Sequence, residues 1–409
     1  SRMAQEIIRP LEGLLVLDFS QFLAGPVAAL RLADLGARVI KIERPGVGDI
    51  GRTLAFAGRT LDGDTVSFHA MNRNKESVTA DLKNPDDLAY VRELVARADV
   101  VIQNFRPGGM ERIGLDYASV KELNPSIVYA SASGYGDEGP WRDRPGQDLL
   151  AQSIAGLPWL SGSRHDGPVP LGLSIADHLL SCHIAQGVTA LLVRRFRTGK
   201  GGLVQSSLLE AVLDLQFELL STKLNDDTIQ VQRHGEHSAH AFLAAPYGTY
   251  PTSDGHLALA MNPIPELGRL LELPALEALT DPQDAWDRQE EIEGILAARF
   301  ATGTTAHWLG ILDAADVWCA PVLTLDELLA SEGFAAIDMT QEVARRGTTV
   351  ATTRSPLRID GQVLRSEKAA PLLGEDDDRI RAEFPPRPAG APLEAVAAAG
   401  VDGDVGVRA

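Results

Sequence analysis

The sequence predicts an α/β protein whose first 135 residues form a parallel sheet with helices on both faces. Short apolar runs of strand length alternate with helical patterns, and Gly, Pro and acidic residues punctuate the joins. The overall composition, 44% hydrophobic and 23% charged, is that of a globular chain. At 409 residues there is room for two or three domains, each with its own core.

Residues 14–19, LLVLDF, read as the first strand. AGP follows, then the helical pattern VAALRLADLGA, with Gly36 where a helix would end. RVIKIE (38–43) is the next strand. Asn84, Pro85 and two acids open the amphipathic helix PDDLAYVRELVARA, which leads into the strand DVVIQNF. A shorter unit repeats the theme, DYASVKELNP as helix and SIVYASASGYG as strand. Residues 176–198 form a long helix ending in RRFRTGKGG, with cations in its last turn and Gly at its exit. QSSLLEAVLDLQFELLSTKL is a further helix. After an irregular polar stretch over 224–246, YGTYPTSDGHLALAM reads as two strands around an Asp-Gly turn. Helical patterns fill most of 264–330, so the middle of the chain is expected to be a second, smaller α+β domain. Residues 331–375 carry short β-like runs. GEDDDRIRAEF and PLEAVAAAG read as the last two helices.

The formal charge of −18 argues against nucleic acid as a partner, because phosphate backbones are bound through basic surfaces. Two cysteines, Cys182 and Cys319, make no disulfide framework, which points to a reducing setting. The opening SRMAQEIIRPLEG has no signal-type apolar core, and no run approaches 18 apolar residues. A cytoplasmic protein without a membrane span is expected.

Parallel sheets of this kind bind ligands beyond the carboxyl ends of their strands. That directs attention to the loops SQFLAGP, ERPGVGD, NFRPGGMERIG and SGYGDEGPWRDRPGQD. No Gly-x-Gly-x-x-Gly follows the first strand, which argues against a nicotinamide or flavin dehydrogenase. Arg44, Arg73, Lys75, Arg106 and Arg112 stand on loops at one edge of the predicted sheet. Five cations there, in so acidic a chain, suggest a polyphosphate site.

Asp177 opens the long helix, where an Asp ordinarily serves as an N-cap. Its neighbours Ile175, Ala176, Leu179 and Leu180 are apolar, and a carboxylate beside a desolvated surface can act as nucleophile or base. His234, His237 and His240 surround Glu236 in RHGEHSAHAF. Histidines and a carboxylate this close are metal-ligand types, but a helix would turn each His about 300° from the last. No metal site is expected. Cys182 and His183 point about 100° apart and make no nucleophile–base pair.

Taken together these segments resemble the class III CoA-transferases, the CaiB/BaiF type, which include carnitine CoA-transferase, formyl-CoA transferase and α-methylacyl-CoA racemase. LEGLLVLDFSQFLAGPVAALRLADLGARVIKIERPGVGD, NRNKESVTADLKNPDD, ADVVIQNFRPGGMERIGLDY and APYGTYPTSDG carry the resemblance in order, over nearly the whole chain. It implies an interlocked homodimer. It also implies a Rossmann-like large domain, with a parallel sheet built from both chain ends (1–210 and 335–409), around a small domain over 225–330. Coenzyme A or acyl-CoA is implied as substrate, with no tightly bound cofactor and with a carboxylic acid as acceptor. The resemblance places the nucleophile at Asp177. It places the CoA contacts at Arg44, Lys75, Asn104, Phe105 and Arg112, with Arg73 and Arg144 beside them and Phe22 and Ala24 along the pantetheine arm.

The implied reaction passes CoA through an aspartyl mixed anhydride and an aspartyl-CoA thioester, with backbone N–H groups stabilising the oxyanions. The racemase branch places a His before an Asp in Gly-His-Asp. Here the triplet is Gly146-Gln147-Asp148, and Gln exchanges no proton at neutral pH. A non-catalytic CoA-binding protein of the same fold is the remaining alternative, against which Asp177 argues. Leu23, where formyl-CoA transferases have Gln, and Trp159 would suit a larger or less polar acid than formate.

Overall fold

The computed structural model describes residues 9–387; the predicted helix PLEAVAAAG lies outside them. Six strands form one parallel sheet: β1 Leu15–Asp18, β2 Arg38–Glu43, β3 Glu76–Thr79, β4 Val100–Gln103, β5 Val128–Ser133 and β6 Gly202–Ser207. Their order is β3-β2-β1-β4-β5-β6, the doubly wound order of dinucleotide-binding folds. The order reverses between β1 and β4.

The helices that position the site are α1 Ala24–Asp34, α2 Val66–Asn72, α3 Pro85–Arg97, α4 Gly109–Arg112, α5 Tyr117–Leu123, α6 Asp148–Ala155 and α7 Ile175–Thr198. Asn84 starts α3 by accepting from the N–H groups of Asp86 and Asp87, with Pro85 in the first turn. Side chains alternate across the sheet. Leu15, Leu17, Ile40 and Ile42 point to the face where Tyr90, Val91 and Leu94 of α3 and Val120 of α5 complete a core. α1, almost wholly buried and rich in alanine, packs against α7.

Two expectations are corrected here. Residues 205–207 are not helical but end β6, whose half-polar GLVQSS sits at the sheet edge and gives no buried-strand signal. Among the described residues the sheet is not built from both ends of the chain, because all six strands come from residues 15–207. The C-terminal return joins the same compact unit without adding a strand to that sheet. Asp376 accepts from the N–H of Ser77 at 2.9 Å, and Asp377 from the N–H and Oγ1 of Thr79, both at 2.6 Å. Carboxylates at the start of the helix Asp377–Glu383 thus take up the outer edge of β3, where another strand would pair.

The chain divides into two compact units, the first from the N-terminal side to Ala151, Ile175–Ala211 and Met339 onward, the second Gln152–Ser174 and Val212–Asp338. Residues 152–174, expected within the first, group with the second. Arg233 donates to the carbonyls of Ser161, Asp166 and Gly167, and Gln216 to that of Ala155. The second unit has a three-stranded antiparallel sheet of Gly248–Pro251, His256–Leu259 and Cys319–Pro321. Tyr250, Leu257, Phe300 and Trp308 lie in its core.

Candidate active site

Charged residues buried beneath the strand ends set the geometry of the first loop. Asp18, at the end of β1, is fully buried and receives Lys75 Nζ at 2.9 Å. Lys41 Nζ reaches Asp49 at 2.8 Å and the carbonyl of Ser20 at 3.0 Å. Burial alone would raise Asp18. The charges of Lys41 and Lys75, with hydrogen bonds from Ser20 and Lys75, overcome it and pull Asp18 down to about 2. Glu43, Arg52, Asp64 and Arg345 continue the web.

Residues 19–24 are laid over this web. Asp18 accepts from the Ser20 N–H at 2.9 Å and Asp49 from that of Phe22 at 3.2 Å. From across the switch point, Asn104 Oδ1 accepts from the N–H of Gln21 at 3.0 Å, and its Nδ2 donates to the Gln21 carbonyl at 2.7 Å. Phe22 holds a left-handed backbone, φ 68°, and its ring is exposed.

A cavity of about 940 Å³ opens beyond the carboxyl ends of β1–β4. Phe19–Gln21, the segment after β2, residues 80–83 after β3, and Phe105 with Arg112 line it. Its cations are Arg44, Lys83 and Arg112, all exposed. Such a cleft at the switch point of an open sheet suits a nucleotide with phosphates.

The far end of the first loop leads to Asp177. The N–H of Ala24, at the head of α1, hydrogen-bonds the Asp177 carboxylate. The N–H of Asp177 in turn donates to Oδ1 of Asp148 at 3.0 Å. Burial, then the charge of Asp148, push Asp177 up to about 7 against the pull of the Ala24 N–H. A carboxylate so raised is a better nucleophile when ionised than an ordinary Asp.

The predicted contacts fare differently. Arg44, Phe105 and Arg112 come together at the cavity, and Ala24 meets Asp177. Lys75, expected as a CoA contact, does not line the cavity: it is buried, and its three donors go to Asp18, the Pro26 carbonyl at 2.8 Å and Asn72 at 2.8 Å. Arg73 is likewise buried, 3.3 Å from Asp34. The segment after α2 turns these cations under the first loop instead of into solvent. Asn104 acts on the loop backbone, Arg106 lines a smaller pocket on the other side of α4, and Arg144 lies on the exposed 141–144 turn. Lys83 is a cavity cation that sequence reasoning misses; its only signal is a Lys in the loop after β3, next to the cap Asn84. The His234–His240 stretch hydrogen-bonds to the nearby backbone. Among the described residues no group of three or more His, Cys, Asp and Glu is arranged to hold a metal, and no helix is long and apolar enough to cross a membrane.

A doubly wound sheet, a nucleotide-sized cleft at its switch point lined by exposed cations, and a raised carboxylate on α7 near the head of α1 are the features of an enzyme site for a phosphate-bearing substrate. The chain belongs to CoA-transferase family III, whose model matches residues 11–377. It is 32% identical over 390 residues to a succinate–glutarate CoA-transferase of Agrobacterium fabrum, covering 92% of this chain and 96% of that one. It is 31% identical over 388 residues to an acetyl-CoA:oxalate CoA-transferase of Acetobacter aceti, covering 92% and 96%. A solved CaiB/BaiF family protein of Brucella suis superposes with a TM-score of 0.80 at 32% identity, over 92% of this chain and 99% of that one.

Proposed function

We propose that this enzyme moves CoA between small dicarboxylic acids by covalent catalysis at Asp177. The observation that carries the mechanism is the Asp177 carboxylate, raised to about 7 and joined through Ala24 to the loop that lines the cavity. The substrate class is supported by relatives named for succinate, glutarate and oxalate.

A carboxylate oxygen of Asp177 attacks the donor thioester carbonyl; the C–S bond breaks and CoA leaves as thiolate. The thiolate attacks Cγ of the resulting anhydride, releasing the donor acid and leaving an aspartyl-CoA thioester. The acceptor carboxylate attacks that thioester and expels the thiolate, which takes the acceptor's acyl group and frees Asp177. Each step exchanges one acyl–heteroatom bond for another, so the thioester energy is kept. Arg44, Lys83 and Arg112 hold the phosphates, and the Ala24 N–H faces the reacting carboxyl group. No tightly bound cofactor takes part.

An interlocked homodimer belongs to the same proposal. It is supported by exposed apolar side chains on α7, Val193 and Phe196, and in the second unit by Leu325, Leu329 and Ile337.

The test is succinyl-CoA mixed with glutarate or oxalate in heavy water, with the thioesters read by mass spectrometry. New acyl-CoA without deuterium at the α-carbon is expected. Deuterium uptake without CoA exchange would assign the protein to the racemase chemistry for which Gln147 offers no base.

A further inference from the structure

The first N–H groups of a helix have no partner within it and are ordinarily met by the side chain just ahead of the helix. In α7 the N–H of Asp177 is met from elsewhere, by Oδ1 of Asp148, 29 residues back at the head of α6. Asp177 is the third residue of α7, not its N-cap. We propose that Asp148 is a positioning residue for CoA transfer, which caps the first turn of α7 from outside the helix and sets its own negative charge against the reacting carboxylate.

The geometry that fixes Asp148 is specific. Gly146, two residues before it, lies against Gly134 at the end of the β5 strand region, and a Cβ on Gly146 would come within 2.7 Å of the Gly134 Cα. That backbone contact holds the turn into α6, where Asp148 is buried. Capping alone needs only an oxygen, and Asn caps as well as Asp. A second anion beside Asp177 costs electrostatic energy that a neutral cap would avoid. In return, the Asp177 carboxylate faces the Ala24 N–H with no cation among the described residues set against it to lower its basicity. The groups acting on it are Asp148 from α6 and Ala24 from α1. His178, next along α7, is itself held below its ordinary value by burial and by Arg31 of α1.

The inference rests on Asp177 as nucleophile, and the experiment keeps the two apart. Exchange of isotope-labelled succinate into succinyl-CoA is followed against pH for the wild-type chain, Asp148→Asn and Asp148→Ser, with CoA affinity measured alongside. Both replacements keep a capping oxygen and remove the charge. The acidic limb of kcat should move down by about one pH unit and the plateau should fall about three- to tenfold, with CoA affinity within about twofold of wild type. Both variants keeping the wild-type limb would make Asp148 a cap and nothing more. Thermal unfolding above about pH 8 gives a second reading. Asp177→Asn should raise Tm, and by less in the Asp148→Asn background than in the wild type; an equal gain in both backgrounds would overturn the coupling. Absence of a trapped species at Asp177 in the wild type would instead refute the nucleophile, whatever the limb does.

Discussion

Asp18 and Asp177 belong to the same unit, and the fold drives them in opposite directions. Asp18 sits between Lys41 and Lys75 and is pulled to about 2; Asp177 sits beside Asp148 and is pushed to about 7. Burial raises both. At Asp18 the two lysines overcome it; at Asp177 no such cation does, and Asp148 adds to it. Where the neighbours are cations, the carboxylate is permanently ionised and serves as a structural anchor for the loop above it. Where the neighbour is another anion, the carboxylate stays basic and costs the fold something, as reacting groups commonly do.

The largest effect expected from breaking this contrast is on activity. Asp177→Asn should lower kcat by at least about 10⁴-fold, because the amide is no nucleophile. CoA affinity by calorimetry should stay near wild type. The same variant should be more stable at high pH. The folded-state value of Asp177 lies above its ordinary 3.8, so its stabilising contribution is complete below that pH and is lost as pH rises through about 7. Above pH 8 the Asn variant should gain about 1–3 kcal/mol in denaturant unfolding.

Asp18→Asn should do the reverse. It leaves Lys41 and Lys75 buried without their shared anion and should cost about 3–5 kcal/mol. The Asp18 contribution is present above its ordinary 3.8 and fades as pH falls through about 2. The difference between wild type and variant should therefore persist across neutral pH.

Smaller effects separate the buried cations from the exposed ones. Lys83→Ala, Arg44→Ala and Arg112→Ala should each weaken CoA binding about three- to tenfold at low ionic strength, and less at high salt. Lys75→Met should reduce stability while leaving the salt dependence of CoA binding unchanged. Smallest of all, Asn84→Ala removes the α3 cap and should cost about 1 kcal/mol with no change in turnover.

The strands β1, β2, β4 and β5, and the helices α1, α3 and α5, were legible because apolar runs of strand length stand beside amphipathic helices. β6 was not, since GLVQSS on an edge has little need of apolar residues on both faces. The proposed nucleophile, Asp177, was legible through the resemblance and through its apolar neighbours. The destination of Lys75 was not, because a lysine on a loop reads alike whether it meets a phosphate or a buried carboxylate far back in the chain, here that of Asp18. Lys83 was hidden by the opposite error, as an ordinary surface charge before a helix. Asp148 was visible only as the last member of Gly-Gln-Asp; its hydrogen bond to Asp177 joins two helix starts that no local pattern connects.

The most direct test is hydroxylamine trapping. The enzyme is incubated with succinyl-CoA and hydroxylamine without acceptor acid, digested, and the peptide carrying Asp177 is read by mass spectrometry. Conversion of Asp177 to its hydroxamate, absent from the Asp177→Asn variant, is the predicted result. Continued CoA transfer by an enzyme whose Asp177 is never modified would contradict it.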